Sequence, residues 1–193
     1  MKSRTRSLIL ATILAATLPS WAAVDVKGAK FNDTYQLANQ PLQLNGAGVR
    51  VKVIVDVYAA GLYVTKKEHS ASALLNQTGP KSMQIVLLRE LTGEDFADAM
   101  IKGFKKNNSD NEIARFQAKL DEIRNQMMAF GQVKKGTTIR IDNTPGMGTR
   151  VLVDGVQKGT EIAGDDFYAA LLRIWLGNSP VDSDLKDALL GAR

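Results

Sequence analysis

The chain has 193 residues, 45% of them hydrophobic and 23% charged, with no cysteine and a formal net charge of +5. That composition suits one globular domain large enough to bury a core, and it excludes thiol catalysis, disulfides and cysteine metal sites. Without Lys2, Arg4 and Arg6, which lie in a leader segment, 22 basic residues face 20 acidic ones; this near-balance argues against nucleic acid as a partner.

The leader combines those basic residues with an apolar run from Leu8 to Leu18, then Pro19, Ser20, Trp21, Ala22 and Ala23. This is the build of a secretory signal peptide. Cleavage after Ala22 puts Ser20 and Ala22 at the small-residue positions. The division is therefore residues 1–22 as signal peptide and 23–193 as the mature domain, placed in the periplasm. The apolar run is shorter than the roughly 20 residues of a spanning helix, so no stable membrane span is expected once the signal is removed.

Next, "TYQL" and "LQL" flanking Ala38 to Pro41 read as short paired strands. Val49, Val51, Val53, Val55 and Val57 then fall at every second position, with Arg50, Lys52, Ile54, Asp56 and Tyr58 between them. That period predicts one half-buried strand, continuing through "AAGLYV" to Val64. The preceding "NGAGVR" is no phosphate loop, because a strand rather than a helix follows it. Gly46 and Gly48 are read as turn or bulge residues. Arg50, opposite the valines, carries a permanent charge that fits a carboxylate or phenolate if its face meets a cavity; otherwise it is a cross-strand ion pair.

After a short helix at "SASALL" and a strand at "MQIVLLRE", Thr92 is expected to cap a helix with Phe96, Ala99, Met100, Gly103 and Phe104 on one face. "SDNE" predicts a capping box at Ser109 and Glu112. The stripe Ile113, Phe116, Leu120, Ile123, Met127 and Phe130 is too short for a coiled coil and is assigned to the core. "TTIRID", "TRVLVD" and "VQKGTEI" follow as strands, the last two joined by an Asp154–Gly155 hairpin turn. Two final helices are expected, with caps at Asp165 and Ser183. The class is α+β: a mainly antiparallel sheet with its helices on one face.

Catalytic groups are scarce. His69 stands alone in a polar stretch, so neither a metal site nor a histidine-based triad is expected, and nothing calls for a cofactor. The acids start helices or border turns, including Asp142 and Asp154. Arg89, beside Glu90, reads as solvated, and Tyr63 as a packing aromatic.

Four fragments in order, "LNGAGVR", "YAAGLYV", "RELTGEDF" and "IWLGNSPVDSDLKDALLGA", resemble segments of chalcone isomerase and its non-catalytic relatives, over nearly the whole mature chain. The resemblance implies an open-faced antiparallel β-sheet under a layer of helices. It also implies a site. The enzymes close a chalcone by phenolate attack on an enone, and Arg50 matches the arginine that holds the anionic nucleophile. Other matched positions depart: the tyrosine is Phe96, the asparagine Gly103, the later threonine Ile174, and the threonine opening the "YAAGLYV" segment is Tyr58. Losing one donor to a developing enolate typically costs about 3 to 4 kcal/mol of transition-state stabilisation.

The expectation is therefore a non-catalytic protein that binds a small amphipathic anion, fatty-acid-like, using Arg50, Tyr58, Phe96, Gly103 and Ile174. The alternatives are an intramolecular lyase or isomerase acting on enones, in which Arg50 would be catalytic, and a structural or interaction module of the cell envelope. One geometric problem stands out. In a straight strand Arg50 and Tyr58 lie about 26 Å apart, so they share a site only if the chain doubles back.

Overall fold

The computed structural model describes residues 23–192; the signal-peptide assignment lies outside them. Seven strands form one sheet in the order β11-β10-β9-β6-β5-β4-β3. They are β3 (Thr34–Leu37), β4 (Gln40–Lys52), β5 (Val55–Val64), β6 (Lys81–Leu87), β9 (Thr138–Thr144), β10 (Gly148–Val153) and β11 (Val156–Ile162). All their pairings are antiparallel. A small hairpin of β1 (Ala23–Val26) and β2 (Ala29–Asn32) and a short pair of β7 (Leu91–Thr92) and β8 (Gln132–Val133) complete the strands.

Five helices, α1 (Ala71–Asn76), α2 (Gly93–Asn107), α3 (Asp110–Met128), α4 (Asp165–Leu176) and α5 (Ser183–Leu189), have their buried apolar side chains in a single core cluster. Tyr58, Ala60, Leu62 and Val64 of β5 join that cluster. A second cluster, built by Phe31, Leu37, Leu42, Leu44, Ala59 and Tyr63, contains no helical residue. Helices therefore cover one face of the sheet, and the first strands cover part of the other. The α+β expectation holds.

The capping signals also hold. Thr92 and Ser109 each close a capping box, with Asp95 and Glu112 as partners, so two orphan N–H groups per helix are satisfied. Phe116, Leu120, Ile123 and Met127 pack into the helix-side core as assigned. Two caps differ by one residue: Gly164 precedes α4 and offers no side chain, and Asp182, not Ser183, caps α5 through Leu185. Asp142 does not border a turn. It lies inside β9, wholly buried on the face away from the helices, and accepts a hydrogen bond from Tyr35 at 2.9 Å.

The largest correction concerns the valine run. Residues 49–57 are not one strand, because the chain turns back at Val53 and Ile54 and Lys52 pairs with Val55. Val53 has a positive φ of 61°. A two-residue loop with positive φ at its first position usually takes glycine there, so no residue type marks this turn. The valines are not the buried face either: Val51, Val53 and Val55 are exposed, whereas Arg50 and Tyr58 lie on the helix side. Only Val57 reaches the core, at a register shift between Arg50 and Val51 that breaks the alternation.

Candidate functional site

The hairpin brings Arg50 and Tyr58 into register as cross-strand partners. The Arg50 guanidinium carbon lies 5.4 Å from the centroid of the Tyr58 ring, within the range of a cation–π contact. The chain does double back, and the two residues share one site.

The "NGAGVR" segment builds this placement stepwise. Asn45 sits where the register slips between Leu44 and Gly46. Its amide donates to the carbonyls of Glu68 and Leu189 at 3.0 and 2.7 Å and accepts from the Glu68 N–H at 2.8 Å. Gly46 and Gly48 then give α5 room. A Cβ on Gly46 would stand 2.0 Å from the Ala188 carbonyl oxygen, and one on Gly48 2.6 Å from the Ala188 Cβ. Neither glycine has a positive φ, so close approach of α5, more than turn geometry, requires them. Two residues on, Arg50 emerges beyond the α5 contact.

Arg50, Tyr58, Phe96 and Ile174 line one hollow with Ala99, Met100, Trp175 and Val181. Gly103 lines an adjoining outer cleft, where a Cβ would meet Ile174 Cγ2 at 2.9 Å. All five residues expected from sequence thus converge. The hollow is small, about 20 Å³, room for one water. The outer cleft is about 400 Å³ and is lined by Arg50, Lys52, Lys102, Lys106, Asp95 and Asp98. Arg50, Ala99 and Val181 belong to both, so they form the boundary between a charged vestibule and an apolar interior.

Two residues missed at this site are Trp175 and Asp182. Trp175 donates from Nε1 to the Tyr58 hydroxyl at 2.9 Å. Burial pushes the Tyr58 phenol above its ordinary pKa, while the Arg50 charge and the Trp175 hydrogen bond pull the other way. Asp182 supplies both oxygens to backbone N–H groups, of Val51 at 2.8 Å and of Leu185 at 3.0 Å. None of the ion pairs within 4 Å among the described residues involves Arg50. Its Nε is buried with no hydrogen-bond partner among the described residues.

Arg89 and His69 are exposed, with His69 Nδ1 2.8 Å from the Leu190 carbonyl. Tyr63 is fully buried and donates to the Asn32 carbonyl at 3.0 Å. No cluster of potential metal ligands occurs among the described residues. A larger concavity, about 690 Å³, lies between α1 and the C-terminal ends of α2 and α4. It contains none of the five predicted residues.

The chain matches the chalcone isomerase-like family model over residues 23–191. It belongs to that family. Among solved structures it is similar to a fatty-acid binding protein of Arabidopsis thaliana, with 17% sequence identity, a TM-score of 0.64, and coverage of 89% of this chain and 97% of that one. At that identity the likeness establishes the shared fold. Comparison with curated protein sequences gave no match.

Proposed function

We propose that this chalcone isomerase-like protein is a non-catalytic binder of a small amphipathic carboxylate, whose head group is held by Arg50 at the mouth of the outer cleft. The observation that carries this reading is the buried Arg50 Nε without a partner, at the boundary between a cationic vestibule and an apolar interior. A buried guanidinium N–H is costly to leave unpaired, and a carboxylate offers it a matched acceptor. The outer cleft falls within the ordinary size range of small-molecule sites, and the structural neighbour is a fatty-acid binding protein.

The small hollow sets a condition on the tail. An acyl chain enters only if Met100 or Phe96 swings aside, and an unbranched methionine is well suited to that. The same smallness favours a second reading, an interaction module whose interior is filled by its own side chains. Isomerase chemistry has less to recommend it, since Phe96 and Ile174 offer no donor and the Trp175 N–H is already engaged by Tyr58. The proposed setting is the periplasm, after cleavage following Ala22; a mature mass beginning elsewhere in the envelope fraction contradicts that cleavage.

The test is native mass spectrometry of the purified protein with added C12 to C18 carboxylic acids, against Arg50→Ala. A one-to-one complex weakened at least about tenfold by the substitution supports the proposal. No complex with any acid, or equal binding by both proteins, refutes it. Following the absorbance of a hydroxychalcone separates the enzyme reading, because a rate equal to the spontaneous one removes it.

A further inference from the structure

The turn between β4 and β5 places two aliphatic side chains almost wholly in water: Val53 is 92% exposed and Ile54 88%. Val51 and Val55 flank them and are partly exposed as well. A β-branched residue is strained at the positive φ of Val53, where glycine would sit freely. The fold therefore gains nothing from valine at this position, neither a buried surface nor a relaxed backbone.

What surrounds the tip is cationic. Lys52 directly precedes Val53 and lines the outer cleft together with Lys102 and Lys106. Lys105 stands beside them on α2, in a shallow surface depression it shares with Lys102, Lys106 and Ile101. The acids nearest the tip and on this rim are engaged: Asp56 pairs with Lys27 at 3.3 Å and Asp98 with Arg124 at 3.0 Å, Asp182 accepts from the Val51 and Leu185 N–H groups, and Asp95 closes the capping box with Thr92. An apolar tip with a rim of lysines, none of them in an ion pair among the described residues, is the combination that an anionic lipid surface selects, because aliphatic groups enter the interface while ammonium groups stay at the headgroups. A protein partner of this chemistry would have to offer an apolar pocket ringed by acids, a more restrictive requirement.

We propose that the β4–β5 hairpin tip, Val53 and Ile54, docks this protein onto the surface of an anionic lipid bilayer, with Lys52, Lys102, Lys105 and Lys106 facing the headgroups. Docking does not depend on the ligand reading. If both hold, the mouth of the Arg50 cleft opens beside the membrane, within reach of an acid leaving the bilayer.

The chain has no cysteine, so a single one can carry an environment-sensitive fluorophore. The experiment uses the chain from Ala23 onward, which contains both cores and every strand described, with the label at Ile54→Cys. The control is Val156→Cys, 59% exposed and on the far edge strand of the sheet. Vesicles of phosphatidylcholine with 30% phosphatidylglycerol should shift the emission at position 54 to the blue and leave position 156 unchanged. In sedimentation with the same vesicles, Val53→Gly/Ile54→Ser should bind at least about tenfold more weakly without a lower melting temperature, since Gly-Ser suits the turn. Lys102→Gln/Lys105→Gln/Lys106→Gln should weaken binding by roughly fivefold per lysine, and added salt should do the same.

No blue shift at position 54, equal shifts at both positions, or undiminished binding by the Gly-Ser variant overturns the proposal. Equal binding to pure phosphatidylcholine overturns its electrostatic half. A blue shift that grows with protein concentration without vesicles assigns the tip to a second copy instead. Fatty-acid binding measured without vesicles is unaffected by any of these outcomes, so the two readings fail separately.

Discussion

Arg50 and Tyr58 are cross-strand partners on the helix-covered side of the sheet, the guanidinium carbon 5.4 Å from the ring centroid, and among the described residues no carboxylate pairs with the arginine. If Arg50 were a structural ion-pair member, removing it would cost about 3–5 kcal/mol. Here the opposite is expected. Arg50→Met, which keeps the apolar stem, should change the ligand-free stability by no more than about 1 kcal/mol, in either direction, because a buried orphan donor leaves with it. Urea denaturation of the ligand-free protein checks this, and a loss above about 2 kcal/mol would show a structural pairing that the geometry does not contain.

Ala99 lines both the vestibule and the hollow, which makes it the position that separates head-group binding from tail burial. Ala99→Phe should fill the passage and leave Arg50 in place. Affinity for a long-chain acid then falls by about tenfold or more, while a short carboxylate that needs only the vestibule keeps its affinity within about twofold. Titration with one acid of each kind checks the difference. Equal losses for both would mean that the acyl tail does not use the hollow.

Alkaline pH tests the buried phenol. Burial raises the pKa of Tyr58 above its ordinary 10.0, so the native state holds this proton after the unfolded state has released it. Its contribution is fully present below pH 10 and is lost as pH rises through the native pKa. Tyr35, Tyr63 and Tyr168 are shifted in the same direction, again chiefly by burial. Stability should therefore fall steeply above about pH 10, with tyrosinate absorbance rising together with unfolding. Tyr58→Phe leaves Trp175 Nε1 without its acceptor and should cost about 1–2 kcal/mol at neutral pH. The gap to the wild type should narrow above pH 10, where only the wild type has this phenol to ionise.

Legibility in the sequence depended on how directly a residue type dictates a geometry. The cap at Thr92, the capping box at Ser109 and the stripe from Phe116 to Met127 were readable because side-chain chemistry and helical period act within a few residues. The β4–β5 turn was not, since its two central residues are valine and isoleucine, and the alternation of valines runs through it unbroken. The valines misled a second time because the tip projects into solvent, and only the slip at Val57 returns one of them to the core. Arg50, Tyr58, Phe96, Gly103 and Ile174 were placed together by family resemblance; periodicity alone set Arg50 and Tyr58 far apart. Trp175 was hidden for another reason: an indole N–H reveals its partner only once two elements meet in space.

The two glycines of "NGAGVR" make distinct predictions. At Gly46 a Cβ would collide with backbone, 2.0 Å from the Ala188 carbonyl oxygen, whereas at Gly48 the nearest atom is the Ala188 side chain. Backbone cannot rotate away, so Gly46→Ala must push α5 off β4 and strain the hydrogen bond from Asn45 to the Leu189 carbonyl. The expected cost is about 2–3 kcal/mol. Gly48→Ala should cost less, and truncating its obstacle in Gly48→Ala/Ala188→Gly should recover part of the loss, net of the glycine's helix penalty. Melting temperatures of the three variants check the order, and no recovery in the double variant would place the clash elsewhere.

Glu112 links the capping of α3 to the C-terminal half of α4. It receives 2.8 Å hydrogen bonding from Arg173, accepts from the Ser109 backbone N–H at 3.0 Å and from the Ser109 hydroxyl at 2.9 Å. Arg173 first, then Ser109, holds its carboxyl down to about 2, below the ordinary 4.5. A depressed native pKa means that the stabilisation is complete above the unfolded value and is lost as pH falls from about 4.5 through about 2. The side chain is 29% exposed, so solvent screening keeps the effect modest. Glu112→Gln should lower stability at pH 7 by about 1–2 kcal/mol, combining a weakened cap with a lost ion pair. The difference from the wild type should shrink steadily below pH 4.5 and become small near pH 2, where the unfolded carboxyl is fully protonated and the native one about half so. Urea midpoints at pH 7, 4 and 2.5 check this sequence. A difference that stays constant across them would assign the effect to packing and not to the carboxylate's charge.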